Sequence, residues 1–84
     1  MFKYIGSEKQ LKECGFIPYF DKDVDCITSF TRKSKLIDNE VMVAWERNCS
    51  LEKGGIGSRY NYEEISKDDI QDLIDKGLVE WVEL

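Results

Sequence analysis

Two segments of the chain share the same order of polar, apolar and glycine positions. Residues 7–17 and residues 66–79 each begin with Ser, continue with a charged stretch carrying a few apolar residues, and end with Gly followed by apolar residues. Ser accepts hydrogen bonds from the free amides at a helix start, and Gly adopts the left-handed conformation that ends a helix. Each segment is therefore predicted to be a short helix that leads directly into a strand.

The caps of these helices can be predicted at single residues. Gln10 is placed to complete a capping box with Ser7, because it lies three positions after the capping hydroxyl. Gly15 and Gly77 are expected at positive φ, where a side chain would be strained.

Between the two helices the apolar residues alternate with a period of two. Residues 40–47 give the clearest strand, with Val41, Val43 and Trp45 on one face. Residues 26–32 are rich in β-branched and aromatic side chains, and we expect the two strands to form an antiparallel hairpin. Residues 16–20 also have strand composition. Pro18 cannot donate to a ladder, so we expect that segment either at a sheet edge or as irregular chain.

The periodicity fails over residues 48–64, which are predicted to form a long loop with a flexible Gly-rich centre at 54–58. Residues 59–62 offer a brief strand. Residues 2–5 form a short strand candidate, and residues 78–84 carry apolar side chains on both faces, which is typical of an interior strand.

The predicted order is strand, helix, strand, strand, strand, helix, strand. This order predicts an α+β fold, with a small, mostly antiparallel sheet of four to five strands and two short helices. A length of 84 residues fits one domain, residues 1–84, with a modest core.

Charge is unevenly distributed along the chain, whose net charge is −5. Residues 1–35 hold seven Lys or Arg against five Asp or Glu, whereas residues 36–84 hold five against twelve. An acidic half repels phosphates and membrane surfaces and favours a partner protein with a basic surface. The alternative is that the acidic charge only keeps the domain in solution.

The cysteines and the missing histidine restrict the chemistry. The chain has three Cys in no Cys-x-x-Cys pair and no His, so a zinc site is not expected. Reduced thiols and the lack of a leader-like or membrane-spanning apolar stretch predict a cytoplasmic protein. Residues 21–25 have the spacing that opens a calcium loop, but Cys26 and Arg32 stand where Gly and Glu are needed. We expect no metal and no cofactor.

Catalysis is disfavoured because no side chain of the chain has an ordinary pKa near neutrality. Ser–His and Cys–His dyads are excluded by composition. A small enzyme that uses paired carboxylates remains an alternative, although a chain of this size rarely forms the required cleft.

The main functional hypothesis is a non-catalytic interaction domain with an acidic binding surface. Asp68, Asp72 and Asp75 are spaced to share one solvent-facing helical stripe, opposite Ile70 and Leu73. Such a surface can imitate nucleic acid, which would suit an inhibitor or regulator of a nucleic-acid-handling protein. The candidate partner-binding residues are Glu63, Glu64, Asp68, Asp72, Asp75, Tyr60 and Tyr62.

A second hypothesis uses the basic hairpin at residues 32–35. Its cations, together with Arg59, Tyr60 and Tyr62, could hold single-stranded nucleic acid by phosphate contact and base stacking. This hypothesis is weaker because few cations stand on an acidic chain.

Overall fold

A computed structural model describes residues 1–46, 51–60 and 63–83 of the chain. The strands are β1 (Phe2–Tyr4), β2 (Ile17–Asp21), β3 (Cys26–Lys33), β4 (Glu40–Ala44), β5 (Ile56–Ser58) and β6 (Val79–Trp81). The helices are α1 (Glu8–Glu13) and α2 (Gln71–Asp75), and a 3-10 turn, Lys67–Ile70, leads into α2. The predicted α+β class is confirmed. The strands divide between two antiparallel sheets, one of four strands and one of two.

The predicted capping box at the start of α1 is present. The Ser7 hydroxyl accepts from the Gln10 amide at 3.2 Å, and the Gln10 side-chain oxygen accepts from the Ser7 amide at 2.9 Å. Two amides that the first helical turn leaves free are thereby satisfied, which stabilises a helix of only six residues.

Both helices end as the glycine positions predict. Gly15 has a φ of +88° and Gly77 a φ of +70°. In each helix the residue after the glycine donates its amide back to the last turn, Phe16 to Leu11 at 3.1 Å and Leu78 to Leu73 at 3.0 Å. This is the Schellman arrangement, and it directs the chain from each helix into the following strand.

The larger sheet has the strand order β2-β3-β4-β5. The predicted hairpin is confirmed, since β3 pairs with β4 and places Phe30 opposite Val43. The predicted edge position of the Pro18 segment is also confirmed, because β2 pairs with β3 and lies at the end of the strand order.

Strand β4 is buried on both faces. Val41 and Val43 are fully buried in the main core. Met42 and Ala44 point to the other face and form a second cluster with Leu51. The sheet is therefore covered on both faces at its centre, including the face of Met42 and Ala44, for which the sequence made no prediction.

The Gly-rich segment differs from its prediction as a flexible loop, because residues 56–58 form strand β5 beside β4. Gly54 has a φ of +88°, and a Cβ at this position would lie 3.0 Å from the Tyr4 carbonyl oxygen. The Tyr4 amide donates to the Gly54 carbonyl at 2.8 Å, so glycine permits β1 to approach closely here. The proposed brief strand at 59–62 is not a strand at Arg59 and Tyr60, which lie in a turn.

The C-terminal strand was expected in a sheet interior, and this prediction is wrong. Strand β6 pairs with β1 in the two-stranded sheet, with Trp81 opposite Phe2. The two rings meet edge to face at 4.9 Å, and Trp81 keeps about half of its surface exposed. Trp81 therefore packs against the ring of Phe2 at the surface and not in a buried layer.

The main core lies between the inner face of the larger sheet and the two helices. Both helices contribute one fully buried leucine, Leu11 from α1 and Leu73 from α2. The other members of the cluster are Tyr4, Phe16, Phe30, Val41, Val43, Ile56, Ile65, Ile70 and Leu78. Helices this short owe their stability to such packing.

Candidate interaction surfaces

Arg32 lies at the junction of β3, α1 and α2, with its side chain only 10% exposed. Its guanidinium forms a bidentate pair with Asp72, with Nη1–Oδ2 at 2.7 Å and Nη2–Oδ1 at 2.8 Å. It also donates to the Cys14 carbonyl at 2.9 Å and to the Asp69 carbonyl at 2.8 Å. The guanidinium carbon lies 4.6 Å from the centre of the Phe16 ring. A single side chain thus connects three elements of the fold.

The Arg32–Asp72 pair shifts the pKa of both groups in the direction that favours their charges. The hydrogen bond from Arg32 lowers the pKa of Asp72. The positive charge of Arg32 lowers it further, whereas partial burial raises it. The same hydrogen bond raises the pKa of Arg32. Both shifts favour the ionised forms, so the two charges lie side by side and cancel locally.

This pair corrects two expectations about exposed residues. Asp72 does not face solvent freely, because its side chain is one-third exposed and holds Arg32. Arg32 is not available to phosphate, because its guanidinium is buried against carbonyls and a carboxylate. In addition, Asp68 belongs to the 3-10 turn rather than to α2, so the spacing of an uninterrupted helical stripe does not apply to it.

A second carboxylate, Asp69, holds the loop between β3 and β4. It is 2% exposed and accepts from the Ser34 hydroxyl and, at 2.9 Å, from the Lys35 amide. The Ser34 oxygen in turn accepts from the amides of Leu36 and Ile37, each at 3.1 Å. These bonds shape the loop so that both of its apolar side chains point outward, each 55% exposed.

The other acidic candidates lie at the surface. Glu63 and Asp68 are exposed, and the Glu64 side chain is 62% exposed with one oxygen 3.2 Å from the N-terminal ammonium. Asp75 is exposed and accepts from the Gln71 side chain at 2.8 Å. This local bond compensates a carboxylate that lies at the unfavourable end of the α2 dipole.

Of the candidates for nucleic acid binding, Arg59 and Tyr60 lie in contact with each other. The Arg59 guanidinium binds Glu40 at 2.8 Å and lies 5.7 Å from the Tyr19 ring centre and 5.3 Å from the Tyr60 ring centre. The hydrogen bond that Arg59 donates to Glu40 is the main cause of the raised pKa of Arg59. Tyr60 is exposed, and Tyr62 lies outside the described residues. Arg59 is thus partly neutralised as well.

Strand β2 presents an uncharged apolar edge. Ile17 is 67%, Tyr19 46% and Phe20 52% exposed, and Pro18 lies between them. Within the part of the chain that the structure describes, β2 pairs with β3 alone, in a register that places Ile17 opposite Thr31. Large apolar side chains are costly to leave in water, which marks this edge as a candidate docking surface.

A cavity of about 260 Å³ lies between the ends of α1 and α2. Its lining includes Gln10, Glu13, Cys14, Lys76 and Leu78. The Lys76 ammonium lies 3.5 Å from the Cys14 sulfur. The volume falls below the roughly 300–1,000 Å³ of ordinary small-molecule sites, so the surfaces are better candidates than this cavity.

Comparisons with protein-family models, curated proteins and solved structures found no significant match to this chain. Within residues 1–46, 51–60 and 63–83, no three His, Cys, Asp or Glu side chains are grouped so as to hold a metal ion. The helices of the described part are too short to cross a lipid bilayer. The assignment of function therefore depends on the charges and exposed groups of the surface.

Sequence reasoning missed the Arg32–Asp72 pair, although one signal for it was present. Arg32 lies two positions after Phe30 in the same strand, so both side chains point to the same face of β3. That face is the core face, and a buried Arg requires a carboxylate partner. The sequence offered several carboxylates, and nothing local distinguished Asp72 among them.

Proposed function

We propose that this chain is a non-catalytic interaction domain that binds another protein through an acidic surface. The binding surface comprises the exposed carboxylates of Glu63, Glu64, Asp68 and Asp75, hereafter the acidic surface. Asp72 is not among the residues that contact the partner. Its carboxylate binds Arg32 and so stabilises the part of the fold that carries this surface.

The observation that carries the proposal is the neutralisation of both nearby arginines. Arg32 is bound to Asp72 and Arg59 to Glu40, at 2.7 and 2.8 Å. Among the described ion pairs, no carboxylate of the acidic surface has an arginine partner, and only Glu64 is paired at all, with the N-terminal ammonium at 3.2 Å. Uncompensated surface charge of one sign attracts a partner of opposite sign and speeds its association.

The same observation weighs against the nucleic acid hypothesis. Phosphate binding needs exposed cations that neutralise the phosphates and thereby release the counterions condensed on the nucleic acid. Of the cations in that hypothesis, Arg32 is largely buried and Arg59 is paired with Glu40, which leaves Lys33 and Lys35 as the exposed ones. More narrowly, we propose that this chain regulates a protein that binds nucleic acid. The carboxylates of the acidic surface would occupy the positions on that protein where nucleic acid phosphates bind.

The test is capture of partners from the native cell extract by two variants of equal charge. The first carries Glu63→Gln, Glu64→Gln, Asp68→Asn and Asp75→Asn. The control neutralises four exposed acids elsewhere, by Glu13→Gln, Asp38→Asn, Glu46→Gln and Glu52→Gln. We expect wild type and control to retain the same proteins after nuclease treatment, and the first variant to lose them.

Salt and competition refine the result. Capture by the wild type should weaken as salt shortens the screening length below about 8 Å. A single-stranded oligonucleotide should displace the wild type from a partner that itself binds nucleic acid. Equal capture by both variants would reject the acidic surface, and loss of all capture on nuclease treatment would favour direct nucleic acid binding.

A further inference from the structure

Strand β2 differs from the other edges of the larger sheet in both charge and exposure. From Gly15 to Phe20 the chain holds no charged residue, and every side chain of β2 before Asp21 is exposed. Strand β5, at the opposite end of the sheet, is buried and contacts β1 through the Lys3–Gly55 bridge. Among the described residues β2 is therefore the open edge of this sheet.

The edge is only partly protected against an added strand. Proteins block exposed edges with charges, prolines or bulges that disrupt pairing. Here Pro18 removes one amide, and the register shift next to Tyr19 and Phe20 bends the pair. The large apolar side chains of Ile17, Tyr19 and Phe20 nevertheless favour the binding of an added strand, because they offer contact area on both faces of β2.

The charge beside this edge specifies the occupant. The turn that follows β2 holds Asp21, Asp23 and Asp25 against a single cation, Lys22. Asp23 and Asp25 are exposed, and the Asp21 carboxylate accepts from the Asp23 amide at 2.9 Å. One end of the open edge is thus apolar, and the other ends in an acidic turn.

We propose that β2 accepts an extended segment of a partner protein as an added antiparallel strand. Alternate apolar side chains of that segment pack on Ile17, Tyr19 and Phe20, and its basic residues lie opposite the acidic turn. Antiparallel addition continues the pattern of the whole sheet and gives the better hydrogen bonds. This site is separate from the acidic surface and does not depend on it.

A second copy of the chain fits this edge less well. Pairing of β2 with itself around Tyr19 would bring the acidic turn of one copy beside the end of α1 in the other. That helix end carries Lys12 and Glu13, whose charges offset each other, and the negative pole of the helix dipole, so it offers the acidic turn no net attraction. The net charge of −5 opposes the association of two copies.

The probe is a fluorescein-labelled peptide of sequence Lys-Arg-Lys-Val-Thr-Val-Thr-Val. In antiparallel addition its basic N-terminal end lies beside the acidic turn. Two control peptides carry the reversed sequence or Glu in place of the three basic residues. Fluorescence anisotropy with the full chain should give the tightest binding for the first peptide, with the Glu peptide weaker by about tenfold or more.

Protein variants locate the site. Ile17→Lys should weaken binding of the first peptide at least about tenfold, because it places a charge in the apolar contact. Leu36→Lys, at a residue of similar exposure in the β3–β4 loop, should change it by less than about twofold. Asp23→Asn with Asp25→Asn should weaken binding and reduce its salt dependence. Circular dichroism and thermal unfolding confirm that each variant folds.

Hydrogen exchange distinguishes strand addition from contact through side chains alone. Binding of the first peptide should slow exchange of β2 amides, because an added strand bonds to the free edge. Absence of that protection, or equal binding to wild type and Ile17→Lys, would overturn the proposal. If sedimentation showed a dimer that Ile17→Lys abolishes, the occupant of the β2 edge would be a second copy of the chain, and the proposal of a partner segment would be wrong. Loss of partner capture by the acidic-surface variant concerns the proposed function and does not bear on strand addition at β2.

Discussion

Replacing Asp72 with Ala is expected to destabilise the fold more than any other single change at an acidic residue of α2. The variant leaves the Arg32 guanidinium, whose side chain is 10% exposed, without its carboxylate partner. Breaking a buried ion pair in this way costs about 3–5 kcal/mol. Because Asp72 is one-third exposed, water takes over part of the lost contact, and we expect a loss of about 2–3 kcal/mol.

That loss can be measured as a fall in the unfolding midpoint. For a domain of this size each kcal/mol lowers Tm by about 4–8 °C, so Asp72→Ala should lower it by roughly 8–24 °C. The control is Asp75→Ala, which removes an exposed carboxylate and should cost less than about 0.5 kcal/mol. Urea unfolding of both variants gives the free energies directly.

A double-mutant cycle isolates the pair itself. Arg32→Met and Asp72→Ala together should cost less than the sum of the single changes, by about 1 kcal/mol or more. The reason is that the second change removes a charge that the first has left unpaired. Additive losses, or equal losses for Asp72→Ala and Asp75→Ala, would refute the assignment of Asp72 as the partner of Arg32.

The pH dependence provides an independent check with a fixed sign. The pKa of Asp72 is lowered in the folded protein, chiefly by its hydrogen bond from Arg32, whereas an unfolded Asp titrates near about 3.9. The stabilisation from this carboxylate is therefore complete above the unfolded pKa and is lost as pH falls through the folded pKa. The stability advantage of wild type over Asp72→Asn should accordingly shrink below about pH 4.

Other predictions concern glycines and thiols. Gly77→Ala should cost about 1 kcal/mol through its positive φ alone, since no atom lies within 4 Å of the added Cβ. Gly6→Ala should cost more in the same unfolding assay, because its Cβ would lie 2.5 Å from the Tyr4 hydroxyl oxygen; a smaller loss would contradict the packing there. Reductant should leave Tm unchanged, as Cys14 and Cys26 are free thiols and no bridge is predicted; a drop would contradict this.

The parts of the fold that the sequence predicted are those with local signals. Ser7, Gln10 and Gly15 act within a few residues of one another, so α1 could be bounded without knowing what it packs against. The β3–β4 hairpin also follows from local alternation, and Pro18 excludes β2 from the interior of a sheet.

The parts that could not be predicted depend on distant contacts. Arg32 and Asp72 are 40 positions apart, and their pairing follows from how α2 docks on the sheet. Strand β5 has little side-chain pattern because it contains Gly57 and follows Gly54 and Gly55, where a Cβ would lie 3.0 Å from a backbone oxygen. Strand β6 has apolar residues on both faces, but Trp81 packs on Phe2 at the surface rather than in an interior layer.

The distribution of carboxylates separates stability from recognition in this chain. Asp69 and Asp72 hold the β3–β4 loop and Arg32, and both have their oxygens occupied by donors of the fold. Asp68 and Asp75 are exposed, and their substitution leaves these bonds intact. Loss of binding in the acidic-surface variant therefore reports on recognition, whereas a variant that included Asp72 would confound recognition with unfolding.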